Sequence, residues 1–158
     1  MPNIVLTRID NRLVHGQVAT QWCRSLGTSI ILVANDEASE NSLRQALMDM
    51  AAPSFVKMRY WSLEKTCADI HKVSDKQKLF LVCENPADVL ALAEGGVPIK
   101  KVNIGNMHKG DGRRQITASV AVSEEDVEVF KKLRALGVEL EIRRVPSEKA
   151  EDIESLFG

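Results

Sequence analysis

The sequence predicts a single α/β domain over residues 1–158, with an open, mostly parallel twisted sheet and helices on both faces. Short and nearly continuous apolar runs favour strands that are covered on both faces. Amphipathic segments with recognisable capping and stop residues separate these runs. The strand-then-helix order recurs about five times, which is typical of a parallel α/β sheet.

Five apolar runs predict strands at residues 4–6, 30–33, 79–82, 102–104 and 120–122. Residues 139–145 alternate between polar and apolar side chains, which predicts an edge strand. The short connection Gly110-Asp111-Gly112 before Ile116 leaves room for one antiparallel pair. These patterns predict the layers of the fold but not the order of the strands.

Helix-like segments lie between the apolar runs, and several have a residue that caps or stops them. Pro53 ends the segment 41–52, and Ser123 and Gly137 suit the two ends of the segment 124–136. The other predicted helices are residues 17–26 before Gly27, 63–73, 86–94 after Asn85, and the stretch from Pro146 to the end.

The charges of the chain are nearly balanced, with 21 basic and 22 acidic residues and a net charge of -1. No field of the whole protein would therefore draw it onto nucleic acid or anionic lipid, and any anion site must be local. No apolar run approaches the ~20 residues of a membrane span, and the first residues lack the pattern of a signal peptide. We expect the chain to stay in the cytosol.

Residue spacing does not favour metal, disulfide or hydrolase chemistry. Cys23, Cys67 and Cys83 are odd in number and widely spaced, which argues against a disulfide framework or a zinc site. The three histidines are also far apart, and no Gly-x-Ser-x-Gly elbow is present. We expect neither a metal nor a cofactor.

In open parallel sheets the ligand crevice lies at the carboxyl ends of the strands. The segments to search are therefore residues 8–16, 35–39, 84–85 and 105–115. The first is the richest in reactive and anion-binding side chains, and with the next residue it reads Arg8-Ile9-Asp10-Asn11-Arg12-Leu13-Val14-His15-Gly16-Gln17.

His15 is the candidate nucleophile of this loop. The free N–H groups and positive dipole end of a helix that begins at Gly16 and Gln17 favour phosphate beside it. Arg8 and Arg12 carry planar guanidinium groups that suit phosphate oxygens. An imidazole is partly neutral near neutral pH, as a phosphoryl acceptor requires. The alternative is a histidine that only caps the helix.

The sequence allows more than one role for Asp10 in the same loop. Its carboxylate can hold one imidazole nitrogen of His15, which leaves the other nitrogen free to attack, or it can lock an arginine. In the non-catalytic alternative, Asp10 and Arg12 form a solvated ion pair.

Three other reactive side chains are better explained by structural roles. Asp36 is favoured as part of an acidic helix cap rather than as a crevice residue. Cys83, between Val82 and Glu84 at a strand end, is favoured as a buried structural thiol. His71 lies in a predicted helix, where a surface or half-buried histidine needs no functional explanation.

The loop from Gly105 to Arg114 concentrates glycine and basic residues at another strand end. Asn106, Met107 and His108 could supply phosphate contacts or a docking surface there. Glycine-driven turns with solvated charges are an equally good explanation, because the glycine spacing matches no nucleotide-binding motif. Met107 suits an apolar contact with a partner or sugar, or it folds back onto its own loop.

The loop Arg8 to Val18, followed by Trp22, resembles the signature of IIB components of the mannose/fructose/sorbose family of phosphotransferase systems. Further segments resemble family blocks in family order: Asn35-Asp36-Glu37, Met50-Ala51-Ala52-Pro53, Asn85-Pro86-Ala87-Asp88, Gly95-Gly96-Val97-Pro98-Ile99, Val102-Asn103-Ile104-Gly105 and Val122-Ser123-Glu124-Glu125-Asp126. The resemblance covers nearly the whole chain.

The resemblance implies a cytoplasmic phosphocarrier that works beside a membrane permease. His15 would receive phosphate from a phosphohistidine on a IIA partner, and the sugar would receive it as the membrane components IIC and IID bring that sugar into the cell. Arg8, Asp10 and Arg12 occupy positions that the family assigns to the active-site loop. The reactive nitrogen in the family is usually the δ one, with the ε nitrogen left for orientation.

Two departures from the family pattern lie near the predicted site. The loop that commonly reads Gly-Gly-Met is Gly105-Asn106-Met107 here, followed by His108, and Asn11 stands where an acidic residue is common. The Asn106-Met107-His108 version resembles members assigned to N-acetylgalactosamine or galactosamine. An amino sugar is therefore the predicted substrate.

Two alternatives to a phosphocarrier remain open at this point. A regulatory or ligand-binding module would bind a phosphorylated metabolite reversibly at the same loop, without a covalent label. A receiver-like domain would be phosphorylated on Asp36 instead. A carrier must expose its site to two partners, so we expect Leu13, Val14 and Met107 to form an accessible apolar rim around His15, and self-association is compatible with the pattern.

Overall fold

The computed structural model describes residues 2–153. The strands of this part of the chain are β1 Asn3–Asp10, β2 Ile30–Ala34, β3 Lys57–Trp61, β4 Lys78–Cys83, β5 Lys101–Asn106, β6 Arg114–Gln115, β7 Ala121–Val122, β8 Glu139–Ile142 and β9 Glu151–Asp152. Its α-helices are α1 Gly16–Leu26, α2 Asp36–Glu40, α3 Ser42–Ala51, α4 Leu63–Asp69, α5 Pro86–Glu94 and α6 Glu124–Ala135, and a 3-10 turn Ile70–Lys72 follows α4.

Seven strands form one sheet in the order β3-β2-β4-β1-β5-β8-β9. All neighbouring pairs are parallel except the last, since β9 runs antiparallel to β8. The short strands β6 and β7 form a separate antiparallel pair where the Gly110-Asp111-Gly112 connection left room for one. The predicted fold class is therefore confirmed.

Alternate residues of the central strands fill two apolar cores, one on each face of the sheet. Ile31 and Val33 of β2 pack with Trp22 of α1 and Met48 of α3 on one face. On the other face, Leu32 belongs to the core that includes residues of α5 and α6. Because a strand buries successive side chains on opposite faces, only a nearly continuous apolar run can serve both cores.

The structure confirms the capping and stop residues predicted for three helices. Ser123 caps α6 in a capping box with Asp126, and Asn85 caps α5, whose first residue is Pro86. Gly27 ends α1 in the left-handed conformation. No helix within residues 2–153 is both long and apolar enough to cross a membrane.

Three expectations about the strands and the last helix need correction. The strand β3 is absent from the five apolar runs because it alternates at the sheet edge instead of being buried on both faces. The segment 139–145 is not an edge strand: β8 ends at Ile142 and has β5 on one side and β9 on the other.

The helix predicted from Pro146 onward is wrong for the described residues. Glu148 turns back onto the preceding arginines, accepting hydrogen bonds from the backbone N–H and the guanidinium of Arg144, while its own carbonyl binds Arg143 Nε at 2.6 Å. This turn returns the chain as β9, and Ile153 is buried in the core. Residues 154–158 of the predicted helix lie outside the described residues.

The topology places one loop at the centre of the carboxyl edge of the sheet. The strand β1 lies between β4 and β5, so the loop that follows it is flanked by the ends of both neighbours. The backbone N–H of Asn11 donates to the carbonyl of Asn106 at 3.1 Å, which ties this loop to the end of β5. The chain thus brings the 8–16 and 105–115 segments together.

Candidate functional site

The loop between β1 and α1 is anchored by two buried apolar side chains. The N–H of Leu13 donates to the carbonyl of Asp10 at 2.9 Å, and Leu13 adopts a left-handed backbone with φ of 59°. That conformation costs a residue with a Cβ about 1–2 kcal/mol. Burial of Leu13 and Val14 in the core on the α1 face offsets this cost and delivers His15 to the N-cap position of α1.

His15 and Asp10 form the centre of the site. Nε2 of His15 lies 3.0 Å from Oδ2 of Asp10, and the other oxygen of Asp10 accepts the backbone N–H of Arg12 at 3.0 Å. Asp10 is fully buried, whereas 23% of the His15 side chain is exposed. A carboxylate that accepts a hydrogen bond from Nε2 holds the proton of a neutral imidazole there and leaves the lone pair on Nδ1.

Nδ1 of His15 makes no hydrogen bond within residues 2–153, and the side chain does not cap α1. The first N–H groups of α1 therefore remain available to an anion at this end of the helix. Gly16, with φ of 50°, carries no side chain that would block the approach, and Gln17 is exposed beside it. The capping alternative for His15 does not hold for its side chain.

The two arginines of the loop have different environments. Arg12 leaves 54% of its side chain exposed, with Nε 3.8 Å from Oδ1 of Asp10. Arg8 is only 4% exposed, and its guanidinium donates to Asp10 Oδ2 at 3.3 Å and to Asn103 Oδ1 at 2.6 Å. Arg12 can therefore meet phosphate oxygens, while Arg8 works from inside the protein. Asp10 takes both predicted roles, since it holds an imidazole nitrogen and an arginine.

Arg8 occupies a space that the neighbouring strand leaves open. A Cβ placed on Gly105 would lie 2.0 Å from Cζ of Arg8, so only glycine allows the guanidinium to lie there. The Trp22 ring centroid is 5.7 Å from Cζ, within range of a cation–π contact. Burial lowers the pKa of Arg8, and the neighbouring Asp10 carboxylate opposes that change.

The second loop borders a polar pocket beside the His15 loop. The pocket has a volume of about 220 Å³ and is lined by Asn11, Glu84, Asn85, Pro86, Met107, His108 and Arg113. His108 is exposed and Asn106 is half-buried. Met107 is buried and folds back into the core, which was the alternative for that residue.

The expected apolar rim around His15 is wrong. Leu13, Val14 and Met107 are 3%, 5% and 4% exposed. Their side chains complete the two cores instead of facing a partner, because the loop needs them as anchors. The exposed groups of the site are polar: Arg12, Gln17 and His108.

Comparison with known proteins places this architecture in a family. A family model described as "PTS system sorbose subfamily IIB component" matches residues 4–158. This chain belongs to that family of IIB components. It therefore takes part in sugar transport by a phosphotransferase system.

Relatives of this IIB component act on more than one sugar. It is 46% identical over 157 residues to the N-acetylgalactosamine-specific phosphotransferase enzyme IIB component 2 of Escherichia coli K12, covering 99% of this chain and 100% of the relative. It is 40% identical over 146 residues to the mannose-specific EIIAB component of the same strain, covering 92% and 45%.

A solved structure has the same fold. The N-acetylgalactosamine-specific IIB component 1 of E. coli superposes with a TM-score of 0.92 at 39% identity, covering 95% of this chain and 99% of that one. The fold and the order of the elements are therefore those of the family.

The sequence patterns did not predict the contacts of three residues that surround the core of the site in this IIB component. Asn103 and Glu141 are buried polar residues on β5 and β8, and Trp22 donates Nε1–H to the carbonyl of Arg144 at 3.0 Å. One signal was present: Asn103 interrupts the apolar run 102–104. A polar residue in a strand buried on both faces requires a buried partner.

The other reactive side chains of this IIB component have structural roles. Asp36 Oδ1 accepts the backbone N–H of Leu63 at 2.8 Å and lies in the first turn of α2, which Asn35 caps. Cys83 is fully buried, and burial raises the pKa of its thiol; burial likewise raises the pKa of Cys23 to about 11. No group of metal-ligating side chains occurs among the described residues.

Proposed function

We propose that this IIB component accepts a phosphoryl group on Nδ1 of His15 from a phosphohistidine of a IIA partner and passes it to a sugar. The observation that supports this most directly is the 3.0 Å contact between His15 Nε2 and buried Asp10. Because Nε2 holds the ring in its orientation, Nδ1 is available as the nucleophile. Asp10 and Arg8 would serve His15 from the interior, and Arg12 from the surface.

The first transfer needs one nucleophile and charge stabilisation. The Nδ1 lone pair forms a bond to phosphorus, the P–N bond of the donor phosphohistidine breaks, and its electron pair returns to the donor ring. Positive charge develops on the His15 ring as Nδ1 donates its electrons. The Asp10 carboxylate at Nε2 stabilises that charge where it appears. Arg12 and the first N–H groups of α1 are placed to meet the phosphoryl oxygens.

The second transfer reverses the bonding at Nδ1. A sugar hydroxyl oxygen attacks phosphorus, the N–P bond of phosphorylated His15 breaks, and the hydroxyl proton passes to solvent. In-line phosphoryl transfer of this kind depends mainly on positioning and electrostatics. The loop can serve both partners because His15 lies at the sheet edge with part of its ring exposed.

The partners in this proposal are a IIA donor and the membrane components IIC and IID. A fused arrangement supports the donor, since one relative is an EIIAB component in which the matched region is 45% of the length. The chain would act as one IIB domain on the cytoplasmic side of the permease. Asn106 and His108, beside the polar pocket, would contribute to docking, and Met107 would act only by supporting their loop.

We propose N-acetylgalactosamine as the sugar. The support is the 46% identity to an N-acetylgalactosamine-specific IIB component, against 40% to a mannose-specific protein. A transport assay with membranes that carry IIC and IID should show phosphorylation of N-acetylgalactosamine in preference to mannose. Equal rates for the two sugars would contradict this assignment.

Intact-protein mass spectrometry tests the nucleophile. Incubation with a phosphorylated IIA protein should add one phosphoryl group that is labile to acid and stable to alkali. His15→Ala should abolish the gain in mass, while His71→Ala, which removes an exposed histidine from the 3-10 turn, should retain it. A label on His15→Ala would overturn the assignment, and a label that is lost in alkali would indicate an acyl phosphate on Asp36 instead. Binding without any label would favour a regulatory module.

A further inference from the structure

A chain of polar side chains continues from the His15 site into the sheet. Beyond Asp10, Nη1 of Arg8 donates to Oδ1 of Asn103 at 2.6 Å. The Nδ2 of Asn103 in turn donates to Oε1 of Glu141 at 3.2 Å. Asn103 is completely buried and Glu141 is nearly so, so this network lies in the interior up to its outer end at Glu141.

We propose that Asn103 and Glu141 are positioning residues for phosphoryl transfer, acting through Arg8 and Asp10 on His15. The inference rests on the proposed function of His15. Neither residue touches the reacting atoms. Their role is to set where the guanidinium of Arg8 lies, and so how Oδ2 of Asp10 is shared between Arg8 and the imidazole of His15.

The sheet register supports this role. Arg8 of β1 is directly paired with Asn103 of β5, and Asn103 is directly paired with Glu141 of β8. Three residues on adjacent parallel strands therefore stand side by side and connect through their side chains. A rigid sheet holds such a row in place far better than a loop does, and precise sites depend on that support.

The chemistry of the neighbours fixes the orientation of the Asn103 amide. A guanidinium can only donate, so the carbonyl oxygen of Asn103 faces Arg8. An ionised carboxylate can only accept, so the amide NH2 faces Glu141. The Oε2 of Glu141 lies 3.2 Å from the half-exposed ammonium of Lys101, which balances its charge at the outer end.

The distances indicate how Asn103 and Glu141 restrain the guanidinium of Arg8. Nη1 of Arg8 also donates to the carbonyl of Arg143 at 3.2 Å, so β5 and the residue after β8 hold one side of the guanidinium. Of the two terminal nitrogens, Nη2 is the one that reaches Asp10, at 3.3 Å. Without Asn103, the guanidinium would be free to bind both oxygens of Asp10, the preferred geometry of an arginine and a carboxylate. Oδ2 of Asp10 would then be drawn away from Nε2 of His15.

The test compares Asn103→Ala, Glu141→Ala and Glu141→Gln, which keeps an acceptor for the Asn103 amide. The first readout is the tautomer of His15 in the unphosphorylated protein, measured by ¹⁵N NMR. The second is the single-turnover rate at saturating phosphorylated IIA, together with its KM. We expect the Nε2–H tautomer to dominate in the wild type and the Nδ1–H tautomer to rise in both alanine variants.

The saturating rate should fall about 10- to 100-fold in Asn103→Ala, the usual cost of losing a supporting contact, with KM changed less than about twofold. Glu141→Gln should restore most of the rate that Glu141→Ala loses. The matched control is Asn35→Ala, which removes another buried asparagine, the N-cap of α2. It should lower the melting temperature without changing the His15 tautomer.

A folded Asn103→Ala with the wild-type tautomer and rate would overturn the proposal. If Asn103→Ala does not fold, the comparison of Glu141→Ala with Glu141→Gln tests the proposal instead. Equal tautomer ratios of His15 in these two variants would overturn it. Failure of the proposed function is distinguishable, because a wild type that takes no label from IIA still reports its tautomer. The positioning role is then judged from that ratio alone.

Discussion

Nε2 of His15 lies 3.0 Å from Oδ2 of Asp10, and this carboxylate is fully buried although the imidazole it holds is partly exposed. The pair thus combines a buried anchor with an accessible ring edge. The proposed role as a phosphocarrier needs both, because the nucleophile must keep one orientation while it meets two different partners.

Removal of the Asp10 charge should slow phosphoryl acceptance. Asp10→Asn offers an amide where His15 needs a pure acceptor, so the proton is no longer held on Nε2. We expect the rate of transfer from phosphorylated IIA to fall about 10- to 100-fold, as for other partners that orient an imidazole. Rapid-quench labelling measures it. Asp69→Asn, which removes a partly exposed carboxylate paired with Lys65 and Lys72, is the control and should keep the wild-type rate.

Substitution of Arg12 should mainly change the rate of transfer, and substitution of Arg8 should mainly change the stability of the fold. Arg12→Ala removes an exposed guanidinium and should weaken transfer with little change in melting temperature. Arg8→Met leaves the Asp10 carboxylate without its buried cation, which should cost about 3–5 kcal/mol of unfolding free energy. Urea denaturation and labelling rates distinguish them. Equal losses of stability in both variants would contradict the different environments of the two side chains.

Gly105→Ala should displace Arg8. The added Cβ would approach Cζ of Arg8 to 2.0 Å, and the packed interior leaves the guanidinium little room to move. We expect a loss of about 1–3 kcal/mol in unfolding free energy, together with slower labelling of His15. Gly110→Ala is the matched control, since its nearest neighbour, Cδ of Arg113, lies 3.5 Å away. Wild-type behaviour of Gly105→Ala would show that Arg8 can relocate freely.

Asp88 should make stability depend on pH in an unusual direction. Burial first, and then the charges of Glu84 and Asp36, raise the pKa of Asp88 from 3.8 to about 6. The folded state therefore binds more protons than the unfolded state between these values. It follows that the contribution of Asp88 to the unfolding free energy falls as pH rises from about 4 to 6 and stays low above that.

The variant Asp88→Asn removes the free-energy cost of holding an ionised Asp88 carboxylate in the folded protein. At pH 7 it should be more stable than the wild type by on the order of 1 kcal/mol, after allowance for solvent screening and for the favourable dipole of α5. Near pH 4 the difference should disappear. Urea denaturation at pH 4, 5, 6 and 7 measures this. A variant that is less stable than the wild type at pH 7 would mean that the helix dipole outweighs burial.

Much of the site could be predicted from local patterns. His15 follows a strand and precedes a helix, and the edge of a parallel sheet gathers such loops whatever the strand order. The helix ends at Gly27, Asn85 and Ser123 were equally local, because capping depends on a few neighbouring residues. Where local patterns failed, as for the helix after Pro146, a turn closed by Glu148 and pairing with β8 decided the outcome.

The alternation of strands and helices, the candidate loop and its balance of charge could be read from residue types and short spacings along the chain. That Arg8 is buried while Arg12 is exposed, and that Leu13 and Val14 are anchors, depended instead on how the sheet and helices pack. This packing also brought Asn103 and Glu141 into line with Arg8. These relationships depend on which strands become neighbours and in what register, and residues about 95 to 135 positions apart meet only when the sheet has formed.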